Sequence, residues 1–160
     1  MGRMLDDISS KMLFKASKGD EDETKILVHS THDTALSGLM TTFDVYDEKW
    51  PAFTASITFE LFRRRKPESS NSSRFNLSGV ASTVQGVLSP FSGKDKNQSD
   101  HYIRMRYQNR NLVLPMCSEE GKHLPGSPEF CTLSAFRDRV KELTPVDWEA
   151  ECAPSGRTFS

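Results

Sequence analysis

An apolar run that ends on an imidazole and a carboxylate constrains this chain more than any other feature. Ile26, Leu27 and Val28 lead into His29 and then His32-Asp33-Thr34. Beyond Thr34, Leu36, Leu39, Met40 and Phe43 recur at helical spacing, which predicts a helix over 34–43. The unbroken apolar centre of residues 25–30 predicts a fully buried strand of the kind found in parallel sheets. A strand that hands a His-Asp pair to a helix N-terminus makes a place for phosphate. Unpaired N–H groups and the positive end of the helix dipole both point at the anion.

The remaining periodicity fills in an α/β chain. Met4, Leu5, Ile8, Met12 and Leu13 predict an amphipathic helix over 3–16, and residues 18–23 read as a polar turn. Trp50-Pro51 marks the entry to an alternating strand over 54–62, with Ile57, Phe59 and Leu61 on one face and Thr58 and Glu60 on the other. Residues 101–107 and 111–114 predict a hairpin around Gln108-Asn109-Arg110. Leu133, Phe136, Val140 and Leu143 space out a last helix, with Pro145 beyond its end. Helix, strand, helix and then further strands predict an α/β layered sheet.

Residues 66–100 interrupt the pattern. Nine of these 35 residues are serine, and the opening Lys66-Pro67-Glu68-Ser69-Ser70-Asn71-Ser72-Ser73 has too little apolar surface to offset the entropy of ordering it. The expected organisation is therefore a portion at 1–65 bearing the His-Asp pair, an inserted loop at 66–100, and a hairpin, helix and cysteine-bearing tail at 101–160 of the same domain. Three sequons, at Asn71, Asn76 and Asn97, fall in the loop, where glycans are tolerated. Asn and Ser are also simply common in polar loops.

Charge narrows the partners. Twenty-one Lys and Arg against 22 Asp and Glu leave a net charge of −1, which argues against nucleic acid. The one basic run, Arg63-Arg64-Arg65-Lys66, reads as a solvated strand end. No apolar run approaches the roughly 20 residues needed to span a bilayer. The N-terminus lacks a signal-peptide stretch, so the chain is expected to carry no address of its own. Three cysteines are an odd count, leaving one without a partner inside the chain.

Taken together, these motifs resemble the histidine acid phosphatases of the histidine phosphatase superfamily. The resemblance runs from the apolar run and His32-Asp33-Thr34 through Lys49-Trp50-Pro51-Ala52-Phe53 and Ile57-Thr58-Phe59-Glu60-Leu61-Phe62. It continues through Tyr102 to Tyr107, Leu114-Pro115, and the closing stretch from Cys131 to Cys152. It covers most of the chain apart from 66–100. The Trp-Pro segment is most similar to the lysophosphatidic-acid phosphatase type and to fungal acid phosphatases.

The family's other signature, R-H-G-x-R-x-P, carries the nucleophilic histidine, and no Arg-His-Gly occurs in these 160 residues. The chain thus reads as the C-terminal half of an enzyme whose sheet is of the phosphoglycerate-mutase-like type, incomplete without the N-terminal half. That missing half is its expected partner, beside a small phosphorylated substrate. The resemblance further implies a Cys117–Cys131 disulfide, with Cys152 left over from a bridge to the absent half. It implies a secreted or endomembrane and lysosomal location, with a mitochondrial one as the alternative. No cofactor is expected, and the motifs do not speak to oligomeric state.

Phosphate-monoester hydrolysis through a phosphohistidine needs a nucleophilic imidazole, cations on the nonbridging oxygens, an acid for the leaving alkoxide and a base for water. The resemblance makes Asp33 the acid and His32 a protonated donor to the phosphoryl oxygens, with Trp50 bordering the substrate. From the residues alone, Asp33 can equally be a helix cap and Trp50 a packing anchor. His29-x-x-His32-Asp33 also invites a metal, but residues i and i+3 of a strand face opposite ways, so no metal is expected. His101 and His123 read as surface or loop histidines, and Glu60 has no assigned role. Two other functions stay open: a non-catalytic phosphate- or protein-binding relic, and an unstable truncation product.

Overall fold

A computed structural model gives the fold and describes residues 1–65 and 100–153. The order is α1 (Gly2–Lys18), a 3₁₀ turn at Gly19–Glu21, α2 (Asp33–Thr42), β1 (Ile57–Arg63), β2 (His101–Tyr107) and β3 (Arg110–Leu112). A 3₁₀ turn at Pro115–Cys117, β4 (His123–Leu124), β5 (Ser127–Thr132), α3 (Leu133–Leu143) and α4 (Trp148–Cys152) follow. Helices packed on a sheet make this an α/β fold. The Ser-rich stretch and its three sequons fall at 66–99, outside the described residues, as does the side chain of Cys152.

The sheet is antiparallel throughout and runs β1-β2-β5-β4, with β3 also paired to β2. Register follows the alternation in the sequence. Ile57, Phe59 and Leu61 lie opposite Tyr107, Met105 and Ile103. Thr58, Glu60 and Phe62 lie opposite Arg106, Arg104 and Tyr102 on the other face. The hairpin from β2 to β3 closes through Gln108 and Asn109, both left-handed at φ 46° and 63°. That is the backbone a two-residue hairpin turn demands, and Asn tolerates it. Since β1 pairs with β2 along its whole length, the portions before and after the Ser-rich stretch share one sheet.

The core is aromatic at its centre. Phe43 at the end of α2, Phe59 on β1 and Phe136 on α3 meet with ring centroids 5.4–5.9 Å apart. Leu5, Ile103, Met105, Leu114, Leu133 and Val140 enclose them, each almost fully buried. The Cys117–Cys131 disulfide joins the Pro115 turn to β5, with its Cα atoms 5.4 Å apart, and both cysteines are buried. α1 lies against α3 where only glycine fits: a Cβ on Gly2 would stand 2.4 Å from the Leu143 carbonyl oxygen. Among the described residues no helix is long and apolar enough to cross a membrane.

The predicted strand at 25–30 does not form. Ile26 and Val28 are 80% and 81% exposed, and no described strand runs beside them to take up their backbone hydrogen bonds. A strand is defined by its neighbour, and apolar content alone does not supply one. The 54–62 strand starts later than predicted, at Ile57, because Thr54 is left-handed (φ 62°) and Ala55 N–H closes a turn on Ala52. His101 is buried at the start of β2 rather than on the surface. His123 lies on β4, its Nδ1 2.7 Å from the Cys117 carbonyl oxygen.

Glu60 acquires a role on the outer face of the sheet. It lies 2.7 Å from Arg104 and 3.7 Å from Arg106. The Arg104 guanidinium also sits over Phe62 and Phe130, 4.9 and 5.1 Å from their centroids.

Two stability outcomes follow from this core. Phe136→Ala should cost about 3–5 kcal/mol in urea unfolding, since it removes the ring shared by α2, β1 and α3. Replacing Cys117 and Cys131 together by Ala should cost about 3 kcal/mol, as expected for a closed loop of this length. A non-cooperative transition in the parent chain would mark it as an unstable truncation product.

Candidate functional site

The site is built on α2, and α2 is held from its far end. Phe43 is its C-cap, Asp44 N–H donates to Thr41 O at 3.1 Å, and Val45 N–H donates to Met40 O at 2.9 Å. These two bonds form a Schellman motif with Asp44 in the left-handed position at φ 56°. Arg139 of α3 donates from Nη2 to Thr42 O at 3.2 Å and lies 3.4 Å from Asp44 Oδ2. A cation on the last carbonyls complements the helix dipole. With Phe43, Leu39 and Met40 buried below, α2 is fixed in direction, and its N-terminus is presented outward.

His32 is the N-cap, in extended backbone (φ −100°, ψ 162°). Its carbonyl accepts from Ala35 N–H at 3.0 Å and Leu36 N–H at 3.3 Å, while its ring makes no capping bond. Asp33 is the first helical residue, where a carboxylate suits the dipole. Its Oδ1 accepts the Thr34 N–H at 2.7 Å, and its Oδ2 accepts the Trp50 indole N–H at 2.8 Å. Asp33 therefore serves a helix-terminal N–H and, at the same time, a partner seventeen residues away. His32, Asp33 and Thr34 are all exposed.

Trp50 is delivered by the loop after α2. Lys49 N–H donates to Asp47 Oδ1 at 3.3 Å, Arg110 reaches to 4.0 Å of Asp47, and Pro51 is buried. The loop thus grips on both sides of the tryptophan and leaves the residue 60% exposed, with Phe53, three residues on, fully exposed. Sequence reasoning placed Trp50 near the site but did not foresee its bond to Asp33. The available signal was an indole, which can only donate, arriving shortly after a helix that begins with a carboxylate.

The remaining candidates lie apart from this pair. His29 sits in the exposed run before His32, and because that run is not a strand, the argument from opposite strand faces no longer applies to it. Among the described residues no three of His, Cys, Asp and Glu cluster as metal ligands. Upstream, Asp22 Oδ1 accepts the Thr24 backbone N–H at 2.9 Å, which holds its carboxyl below the usual carboxylate range. Lys15 reaches the Asp22 carbonyl, so the turn leading to the site is tied back to α1.

Comparison with known proteins gives a consistent set of relatives. No protein-family model matches the chain, and no solved structure does. A probable acid phosphatase of Schizosaccharomyces pombe is 27% identical over 96% of this chain and 35% of its own length. The prostatic acid phosphatase of Rattus norvegicus is 23% identical over 94% of this chain and 29% of its own. The lysosomal acid phosphatase of Xenopus laevis is 24% identical over 94% and 27%. The chain spans about a third of the length of these relatives.

Proposed function

We propose a hydrolytic role for this chain, which belongs to the histidine acid phosphatases: it supplies the proton donor and a phosphate ligand to a phosphate-monoester hydrolase that works through a phosphohistidine. The observation that carries this reading is Asp33 itself, a carboxyl held by two N–H donors at a helix N-terminus beside the exposed His32, whose ring makes no capping bond. In the first step a histidine outside these 160 residues attacks phosphorus, and the P–O bond to the alkoxide breaks. Asp33 gives its proton to that alkoxide, a poor leaving group. His32 donates a hydrogen bond to a phosphoryl oxygen, where charge builds in the transition state. Asp33, now a carboxylate, takes a proton from the water that cleaves the phosphohistidine. Trp50 borders the leaving group.

The exposed run beside the site supports the idea that the working enzyme has more chain. Ile26 and Val28 stand in solvent just before His32, and the relatives have about two-thirds more of their length to offer as a covering partner. The Cys117–Cys131 disulfide favours an oxidising compartment, secretory or lysosomal, as the names of the lysosomal relatives suggest for those proteins.

The purified chain should show only background turnover of p-nitrophenyl phosphate near pH 5. Activity that survives repurification and is lost in His32→Ala would overturn the requirement for an outside nucleophile. Activity should appear when this chain replaces the matching section of the fission-yeast relative. In that chimera Asp33→Asn should lower turnover of an alkyl phosphate by about 10²–10⁴-fold, the usual contribution of a positioned acid. It should cost far less for p-nitrophenyl phosphate, whose leaving group departs as a stable anion. His32→Ala should harm both substrates alike. An equal loss for both in Asp33→Asn leaves Asp33 only an acceptor for a helix-terminal N–H in the first turn of α2, not the cap that is His32, and favours the binding-relic reading.

A further inference from the structure

We infer that Trp50 is a positioning residue for the acid: its indole N–H fixes the Asp33 carboxyl in the orientation from which the proton is delivered. This rests on the general-acid reading of Asp33. An aspartate at the exposed start of a helix has two side-chain torsions free, and one local N–H leaves it able to swing. Here Thr34 N–H holds Oδ1 at 2.7 Å and Trp50 Nε1–H holds Oδ2 at 2.8 Å, one donor from the helix and one from a separate loop. Two donors on two oxygens define the plane of the carboxyl as well as its place. Each oxygen retains a second lone pair, so a proton can reside there while the group stays held.

The alternative use of a tryptophan beside a proline is to anchor the loop by packing. Trp50 as a residue is 60% exposed, so burial does not account for its position, whereas the neighbouring Pro51 is buried and does anchor the loop. An indole donates only and is charge-neutral, so it orients the acid without competing for its proton. Lysine at the same place would bring a positive charge against the carboxylate, and glutamine would offer an acceptor as well as a donor.

The hydrogen bond is tested in the chain itself by following its two indole N–H cross-peaks, Trp50 and Trp148, with ¹⁵N labelling. Asp33→Ala should move the Trp50 peak and speed its exchange with water while the Trp148 peak stays. A Trp50 peak that does not respond overturns the inference. The catalytic consequence is read in the chimera. Trp50→Phe keeps the ring and loses the donor, so it should lower kcat for an alkyl phosphate by about tenfold, a part of what a positioned acid contributes. KM should stay nearly constant, p-nitrophenyl phosphate should be spared, and Trp50→Phe should add nothing to Asp33→Asn. If Asp33→Asn costs both substrates equally, the acid reading falls and this inference with it. If Asp33→Asn discriminates between substrates and Trp50→Phe does not, this inference alone falls. Should the chimera not fold, the indole cross-peak decides.

Discussion

Three phenylalanine rings hold the architecture together. Phe43, Phe59 and Phe136 come from a helix end, a strand and a second helix, and none of these elements has another large aromatic at the shared point. A short helix such as α2, ten residues long, is marginal on its own propensity and depends on tertiary packing. Its buried apolar residues, Leu39, Met40 and Phe43, all lie in its C-terminal half or just past it. The packing that stabilises the helix is therefore concentrated at the end away from Asp33. The N-terminal turn can face solvent because the opposite end is sunk in the core.

Much of this was legible in the sequence. Helical spacing placed α1, α2 and α3, and strand alternation correctly put Ile57, Phe59 and Leu61 on one face. The hairpin from β2 to β3 was also legible, though Arg110, read as part of its turn, is the first residue of β3. All three signals are local or depend on one periodic face. The failures share a cause too. Whether residues 25–30 form a strand depends on a hydrogen-bonding neighbour, which the composition of the run does not encode. His101 and His123 were misplaced because burial of a polar ring follows from what lies across the sheet. β4 and β5 carry no strong alternation; β5 pairs with β2 and is joined by the disulfide to the Pro115 turn, and β4 pairs with β5.

At the candidate site, the sequence pointed to the chemical groups, and the structure added how they are arranged. His32 and Asp33 were picked out by their place between an apolar run and a helix. The bond between Asp33 and Trp50 is a contact across seventeen residues that no periodicity forecasts. The outer-face cluster of Glu60, Arg104 and Arg106 shows the same limit. Glu60 carried no assigned role in the sequence, yet with Arg104 it forms a partly buried ion pair stacked on two aromatic rings. Shielding of that kind makes an ion pair less sensitive to salt than an exposed one.

The pairing of β1 with β2 has a consequence for how this chain tolerates change in length. Arg63 lies directly opposite His101, and Arg64 N–H donates to the Asp100 carbonyl at 2.8 Å. Residues 64 and 100, which bracket positions 66–99 in the sequence, therefore stand at adjacent rungs of one ladder. The residues flanking positions 66–99 are paired in the sheet, and the register of β1 on β2 follows the side chains of the two strands. The entropy of closing such a connection grows only logarithmically, about 0.6 kcal/mol for each doubling of its length. Insertions and deletions can thus accumulate at this one point while the spacing between the His-Asp helix and the disulfide-linked half stays constant.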